Sequence, residues 1–203
     1  YHAESHRRAP DLLASFLGRQ CHPVRDRLFA LTFDRDELLV EDTSTFNAFT
    51  HSAEGKLENQ RRYFEICLRS KFIVCPRGAG PNSIRLFEAL RLGIAPVIIS
   101  DDWIPCEGPQ WEKFAIFIPE KDVEKTADVI RGLQSEYVER GKNARRAYEN
   151  FFSPETYFNY LVNSATSALQ ARVVPERLFV ALWPAYRLLR GAKRRTKKLV
   201  GIK

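Results

Sequence analysis

Residues 71–101, KFIVCPRGAGPNSIRLFEALRLGIAPVIISD, decide the fold of this chain. Lys71–Cys75 and Ala95–Ile99 are short, apolar and rich in β-branched residues, so they predict two buried strands. Between them lie a loop rich in Pro and Gly and a helix, Ile84–Leu92, that ends at Gly93, a residue type suited to the left-handed stop of a helix. Two strands joined through a helix form a βαβ unit, so we predict parallel pairing and a right-handed crossover.

The loop before this helix predicts an anion site. Free N–H groups and the helix dipole favour an anion at a helix N-terminus. Arg77 lies on the loop and Arg85 in the first turn, so both guanidiniums could bind phosphate oxygens. Ser83 or Asn82 is expected to cap the helix with a side-chain oxygen.

Glu88 extends this site toward a nucleotide. It follows Arg85 by three residues and therefore shares its helix face. The two oxygens of a carboxylate can accept hydrogen bonds from vicinal hydroxyls, as in ribose. The alternative is an ordinary Arg85–Glu88 surface ion pair, which is common on amphipathic helices. The glycine loop and the buried strands on either side favour the nucleotide.

The stretch CPRGAGPNSIRLFEALRLGIAPVIISDDW resembles the signature of exostosin-type glycosyltransferases, which include heparan sulfate and plant wall xyloglucan and xylan enzymes. The resemblance covers residues 12–118 and is strongest over 70–101. It implies an α/β fold: a Rossmann-like parallel sheet flanked by helices, forming the C-terminal, donor-binding half of a two-domain GT-B glycosyltransferase. Glu88 occupies the position of the glutamate that holds the ribose. Gly80 stands where many retaining enzymes carry an acid, which fits an inverting enzyme.

The candidate donor-binding set combines these motifs with one residue from a neighbouring helix and one from a neighbouring loop. The resemblance implies that Arg25 faces the donor diphosphate, and the alternative is a solvated helix arginine. Asp101, after the second strand, could bind a sugar hydroxyl or a metal, or could cap a turn. The set is Arg25, Arg77, Gly78, Gly80, Ser83, Arg85, Glu88 and Asp101, with the glycines allowing close approach of the backbone.

The proposed chemistry needs no metal and no cofactor besides the sugar donor. Arginines and the helix N-terminus would stabilise the leaving group. An inverting transfer also needs a base within reach of the acceptor hydroxyl. The catalytic residue is unknown from the sequence, and Asp101 and Asp102 are only stand-ins.

The remaining elements extend the sheet and cover it with helices. Residues 42–55 read as a loop, and His51 within it could touch substrate or be an ordinary loop residue. Residues 1–172, with an ordered core at 11–171, are predicted to be the nucleotide-sugar-binding domain, and 173–203 a helix with a basic tail. The predicted strands are Leu12–Leu17, Glu37–Glu41 and Phe114–Ile118, and the predicted helices are Pro23–Leu31, Leu57–Arg69, Val123–Leu133, Tyr137–Phe151 and Thr156–Ala171. In the last helix, Tyr157, Tyr160, Leu161 and Leu169 are expected to face inward.

The cysteines and histidines do not have zinc spacing. Cys75 reads as a small buried hydrophobe, and a disulfide with Cys67 is the alternative in an oxidising lumen. His2 and His6 are spaced four residues apart, but a metal is not expected in a terminal segment.

The charge is concentrated at the C-terminus. The chain has a net charge of +7, and residues 187–203 contain eight basic residues and no acidic one, so seven minus eight leaves −1 for the remainder. A nucleic-acid partner is therefore not expected. The segment 178–203 predicts peripheral contact with an anionic membrane, and the alternative is a solvated basic tail behind a packed helix.

The sequence as a whole predicts a glycosyltransferase that moves a sugar from a nucleotide sugar, a UDP-sugar, to a glycan acceptor with inversion. The first alternative is a non-catalytic module that binds a nucleotide sugar or a partner. The second is a dehydrogenase-like protein, but RGAGPNS supplies only GxG where GxGxxG is required. The chain has no methionine, which predicts a processed form or a fragment. The expected location is the Golgi lumen for a eukaryotic protein, and the cytoplasm or a membrane surface for a bacterial one.

Overall fold

The structure is a computed structural model that describes residues 9–32, 37–45, 53–173 and 175–186. The predictions for His2, His6 and His51, and the basic run 187–203, lie outside these ranges. The chain divides into two compact units, Tyr1–Phe158 and Asn159–Lys203. The domain boundary at 172/173 stays a prediction.

The first unit is built on a five-stranded parallel sheet in the order β2-β1-β3-β4-β5. The predicted α/β class, a Rossmann-like parallel sheet flanked by helices, is confirmed, as is the parallel pairing of the two strands in the deciding stretch. The strands are β1 Leu12–Gly18, β2 Leu38–Asp42, β3 Ser70–Pro76, β4 Ala95–Ile99 and β5 Ile116–Ile118.

Helices connect the strands and cover both faces of the sheet. Three predicted helices differ in detail. The one expected at 57–69 begins at Ala53, within the segment 42–55 predicted as a loop. The one expected at 123–133 begins as the 3₁₀ helix Glu120–Lys125, and the one expected at 137–151 ends in the π-helical turn Tyr148–Phe152. The α-helices are α1 Pro23–Ala30, α2 Ala53–Leu68, α3 Ile84–Leu92, α4 Thr126–Gly132, α5 Tyr137–Ala147 and α6 Tyr157–Gln170.

The strand alternation of β3 divides the core into two layers. Phe72 and Val74 face a cluster that includes Leu28 of α1 and Ile130 of α4. Their neighbours Ile73 and Cys75 face a second cluster with Leu86 and Leu90 of α3 and Ala144 of α5. Successive strand residues point to opposite faces, so β3 is buried on both sides. The site loops therefore start from a fixed position.

The inward-facing prediction for α6 is wrong. No residue of α6 is buried, and Tyr157, Leu161 and Leu169 are 48%, 51% and 66% exposed. The second unit contains, among the described residues, only most of α6 and a further helix at 176–186. Two short helices have too little surface to bury an apolar face between them. Within the described residues, no helix is long and apolar enough to cross a membrane.

Candidate functional site

The site lies where β1, β3 and β4 end and α3 begins. Helix α3 has the predicted bounds, and Gly93 closes it with φ 66° while its N–H donates to the carbonyls of Ala89 and Leu90. At the other end, Ser83 has the extended backbone of an N-cap, but its side chain makes no capping hydrogen bond. The side-chain capping prediction for Ser83 is therefore wrong.

The Ser83 hydroxyl has another property. The residue is only 5% exposed, and its Oγ has no hydrogen-bond partner among the described residues. The backbone turns tightly here, because Leu86 N donates to Ser83 O at 3.1 Å. A buried hydroxyl without a partner costs free energy. Ser83 Oγ is thus an unsatisfied polar group at the start of α3.

Glu88 lies in a small polar cluster one turn further along α3. Its Oε2 accepts hydrogen bonds from Arg85 Nη1 at 2.6 Å and from Tyr63 Oη at 2.7 Å. Arg85 also donates Nε–H to the carbonyl of Leu17 at 3.0 Å, and its Cζ lies 4.2 Å from the centroid of the Tyr63 ring. Both bonds to Glu88 end on Oε2, so Oε1 has no hydrogen bond from the residues that the structure describes.

Burial controls the ionisation of this cluster. Removal from water raises the pKa of Tyr63, so the phenol stays protonated and acts as a donor. For Arg85, burial alone lowers the pKa, but Tyr63 and Glu88 outweigh it, and the net effect raises the pKa. The cluster therefore holds a fixed cation beside the Glu88 side chain, which is 30% exposed.

A cavity of about 200 Å³ opens beside Glu88, between α2 and α3. We call it the α2–α3 cavity. Its wall combines polar and apolar surface, and the polar side chains can offer both donors and acceptors to a ligand. It is lined by Leu17, Thr43, Lys56, Asn59, Gln60, Arg62, Tyr63, Phe64, Arg85 and Glu88.

Arg77 does not join this cluster. Its Nη1 donates to Asp102 Oδ2 at 2.8 Å and to Glu120 Oε1 at 3.0 Å. These partners follow β4 and β5, on the opposite side of β3 from β1 and its contact with Arg85. The prediction that the two arginines act together is not supported by their contacts. Arg77 Nε is buried and has no partner among the described residues.

Asp101 belongs to the same group of side chains as Arg77. Its Oδ1 accepts from Glu120 N at 3.0 Å, while Glu120 Oε1 accepts from Asp101 N at 3.1 Å. This reciprocal pair caps the 3₁₀ helix Glu120–Lys125. Asp101 therefore makes a capping contact in this structure, and its binding of a sugar hydroxyl or a metal stays a prediction. We call Arg77, Asp101, Asp102 and Glu120 the Arg77 network.

Arg25 is buried rather than solvated, and its contact with a donor diphosphate stays a prediction. It is 9% exposed, and each guanidinium nitrogen donates to a backbone carbonyl: Nε to Arg77 O, Nη1 to Arg19 O and Nη2 to Pro76 O. Burial lowers the pKa of Arg25. The structure thus gives Arg25 a positioning contact, because it ties the loop after β1 to the loop after β3.

The loop glycines are not required by backbone conformation, because neither Gly78 nor Gly80 has a positive φ. A Cβ on Gly78 would lie 3.6 Å from Arg25 Nη2, whereas a Cβ on Gly80 would meet nothing within 4 Å. Gly80 therefore leaves open space on its outer side. Close approach of a ligand at these glycines stays a prediction.

Two contributors were missed by sequence reasoning. The Tyr63 hydroxyl donates to Glu88 from 25 residues away. The Glu120 carboxylate accepts from Arg77 across 43 residues. No local pattern signals either contact, because both depend on which loops the sheet brings together.

The cysteines of the described residues are free thiols, and these residues contain no cluster suited to a metal ion. Cys67 and Cys75 are free and buried. Burial raises the pKa of Cys67 to about 11 and also raises the pKa of Cys75. The described residues contain no group of three or more His, Cys, Asp or Glu side chains suited to a metal ion.

The family model of the exostosin GT47 domain matches residues 8–133, more than half of the chain. The chain belongs to the exostosin GT47 family. The matched region contains β1–β5 and both site clusters. The family predicted from the motif in the deciding stretch is therefore confirmed.

Plant proteins are among the relatives. The chain is 36% identical over 80 residues to a probable glucuronosyltransferase of rice, Oryza sativa subsp. japonica, and to the probable β-1,4-xylosyltransferase IRX10 of Arabidopsis thaliana, with 38% of this chain and 19% of each relative aligned. It is 41% identical over 68 residues to probable glucuronosyltransferase 47 A of Physcomitrium patens, with 32% of this chain and 15% of the relative aligned. The chain thus matches about a fifth or less of these relatives' lengths.

Among solved structures, TarM aligns with 81% of this chain and 36% of its own, at a TM-score of 0.47 and 14% identity.

Proposed function

We propose that this chain forms the nucleotide-sugar-binding half of a GT-B glycosyltransferase that moves a sugar from a UDP-sugar to a glycan acceptor with inversion. One observation carries the proposal: Glu88 is held by Arg85 and Tyr63 through one oxygen, while its other oxygen stays available beside the α2–α3 cavity. A carboxylate oriented in this way can accept hydrogen bonds from the ribose hydroxyls.

The phosphates would lie at the start of α3. A helix N-terminus favours an anion, and the nearby Arg85 guanidinium supplies a cation with its position fixed by Leu17 and Glu88. The unsatisfied Ser83 hydroxyl can donate to a phosphate oxygen. Open space at Gly80 allows close approach. These groups would stabilise the charge of the departing diphosphate without a metal ion.

The Arg77 network supports a smaller direct role for Arg77 than for Arg85. Arg77 is already paired with two carboxylates, and a phosphate would have to compete with them. Asp101 is likewise engaged with Glu120. We therefore assign both residues to shaping the loop beside the donor. The acceptor base is assigned to no residue of the described chain, and a glycan acceptor is the expected partner.

The second candidate function is a non-catalytic module that binds the nucleotide sugar without turnover. The observation that favours it is that the two acids closest to the loop after β4, Asp101 and Asp102, are both engaged by partners. A base for an acceptor hydroxyl must be free to take a proton.

The proposal is tested by calorimetry with UDP on the wild-type chain and on Glu88→Ala. We expect the variant to bind UDP at least about 100-fold more weakly, the effect of losing two charge-assisted hydrogen bonds. Glu65→Ala is the matched control, since Glu65 is exposed on α2 and is not part of the cavity wall. Unchanged UDP affinity in Glu88→Ala, or preferential binding of NAD, would refute the proposal. Chelation with EDTA should leave UDP affinity unchanged.

Turnover separates the two candidate functions. The intact gene product should be assayed with a panel of UDP-sugars, beginning with UDP-xylose and UDP-glucuronic acid because of the names of the plant relatives. Inversion is tested by the anomeric configuration of the product. Tight UDP binding without turnover on any donor would favour the non-catalytic module.

A further inference from the structure

The second unit exposes a short apolar helix directly before the basic run. Residues 176–186 are helical and exposed throughout. Their large apolar side chains are 42–62% accessible, a contiguous arrangement that is unusual on a chain that stays in water. These are Leu178, Phe179, Val180, Leu182, Trp183 and Tyr186. We call this segment the terminal helix.

Aromatic side chains form one stripe along the terminal helix. The rings of Phe179 and Trp183 have centroids 5.3 Å apart, and those of Trp183 and Tyr186 are stacked at 5.6 Å. Trp and Tyr are the residues most enriched where a membrane meets water, because each has an apolar ring and a polar group. The stripe therefore suits an interface between apolar and aqueous phases.

The described part of the terminal helix is long enough to lie in a membrane surface. It rises roughly 16 Å at 1.5 Å per residue, about half of a hydrocarbon core. At its first residue, Glu176 approaches Arg172 of the preceding segment within 3.6 Å. An apolar stretch of this length can enter the headgroup and upper acyl region of one leaflet.

The charge of the basic run indicates which kind of surface covers the terminal helix. The eight basic residues at 187–203 have no acidic neighbour within that run, and the rest of the chain is close to neutral. Each such residue near an anionic bilayer strengthens binding about fivefold. A second copy of the chain would bring two runs of like charge together, which is unfavourable.

We propose that the terminal helix and the basic run dock this protein on an anionic lipid bilayer, with the Phe179–Trp183–Tyr186 stripe at the level of the headgroups. The described residues of the terminal helix are not among those that line the α2–α3 cavity, and the proposal does not depend on donor binding. It would hold the protein at the membrane by two signals, apolar insertion and electrostatic attraction, as stable peripheral binding requires.

The test is flotation of the purified chain with vesicles of phosphatidylcholine containing about one-third phosphatidylglycerol, a strongly anionic surface. We expect flotation at low salt, much less at high salt, and little with pure phosphatidylcholine. Replacing Lys193, Arg194 and Arg195 by Gln should weaken binding about 100-fold. The matched control replaces three exposed basic residues of the first unit, Arg61, Lys142 and Arg146, by Gln and should retain binding.

A second variant tests insertion. Trp183→Ser should weaken vesicle binding about tenfold or more because a large ring is no longer buried, whereas Ile104→Ser, at an 85% exposed position, should not. Circular dichroism checks that each variant is folded. No flotation with anionic vesicles at low salt would overturn the proposal, and so would equal losses in the tail variant and its control. A dimer without lipid that Trp183→Ser dissociates would instead assign the helix to a second copy.

Discussion

Arg77 and Arg85 come from the same loop and helix, yet their surroundings differ. Arg85 reaches toward β1 and α2, where it holds Glu88 beside a cavity. Arg77 reaches toward β4 and β5, where Asp102 and Glu120 neutralise it. The same residue type therefore belongs to a cluster beside a cavity on one side of β3 and to a network of ion pairs on the other.

This difference shows that the side-chain partners of an arginine, more than its position on the predicted anion-binding loop, decide whether it lies beside the cavity. The Glu88 pair leaves one carboxylate oxygen available and keeps a cation next to the start of α3. The Arg77 pair uses two carboxylates for one guanidinium and leaves its charge fully compensated. Only the first arrangement lies beside the α2–α3 cavity and pairs its guanidinium with a single carboxylate.

The largest expected effect comes from replacing Arg25, which holds the loop after β3 to the loop after β1. Arg25→Met leaves three backbone carbonyls without their donor, and each unsatisfied buried group costs about 1–3 kcal/mol. We expect the free energy of unfolding to fall by about 3 kcal/mol or more, measured by urea denaturation. Arg69→Met is the control, because its pair with Asp11 is exposed and should matter little.

The result would also separate a positioning role of Arg25 from direct contact with the diphosphate. If Arg25 only positions the two loops, Arg25→Met should lower the free energy of unfolding, and the UDP affinity of the folded variant should change less. A variant as stable as the wild type that no longer binds UDP would mean that Arg25 contacts the diphosphate directly.

The secondary structure of the deciding stretch could be read from the sequence because local signals agree there. Helix α3 and strand β4 have the predicted bounds. An apolar run bounded by Gly93 leaves few other ways to bury its side chains. The family signature also lies here, so the position of Glu88 on α3 was predictable.

The partners of the loop residues could not be predicted, because they are set by tertiary contacts. Nothing near Arg77 in sequence specifies Glu120, and nothing near Glu88 specifies Tyr63. The prediction for helix α6 was wrong for a related reason. Its apolar pattern predicted burial, but such a pattern gives no information on whether another surface is present to cover it. The apolar periodicity of a helix shows which face would be buried, but it does not show what the face packs against.

The next largest effect is expected in the Arg85–Glu88 cluster beside the cavity. Arg85→Gln removes the cation beside Glu88 and the proposed phosphate contact, so UDP affinity should fall about 100-fold in calorimetry. Arg91→Gln on the same helix is the control, since Arg91 is exposed. If Arg85→Gln binds UDP normally, the α2–α3 cavity is not the donor site.

A smaller effect is expected on the other side of the comparison. Arg77→Gln should weaken UDP binding by about fivefold or less, through a looser loop, because Arg77 is already neutralised by two carboxylates. Asp102→Asn should change affinity even less, since its side chain is 73% exposed and screened by water. A loss in Arg77→Gln as large as in Arg85→Gln would mean that the donor draws Arg77 away from its network.

The smallest effect comes from one hydroxyl. Tyr63→Phe keeps the ring that packs against Arg85 and removes only the hydrogen bond to Glu88 Oε2. One such bond contributes about 1 kcal/mol, so UDP affinity should fall roughly fivefold. Tyr148→Phe, in the π-helical turn, is the matched control. If Tyr63→Phe has no effect, Arg85 alone orients Glu88. A loss approaching that of Glu88→Ala would instead mean that the carboxylate cannot hold ribose without both donors, and that the whole cluster acts as a unit.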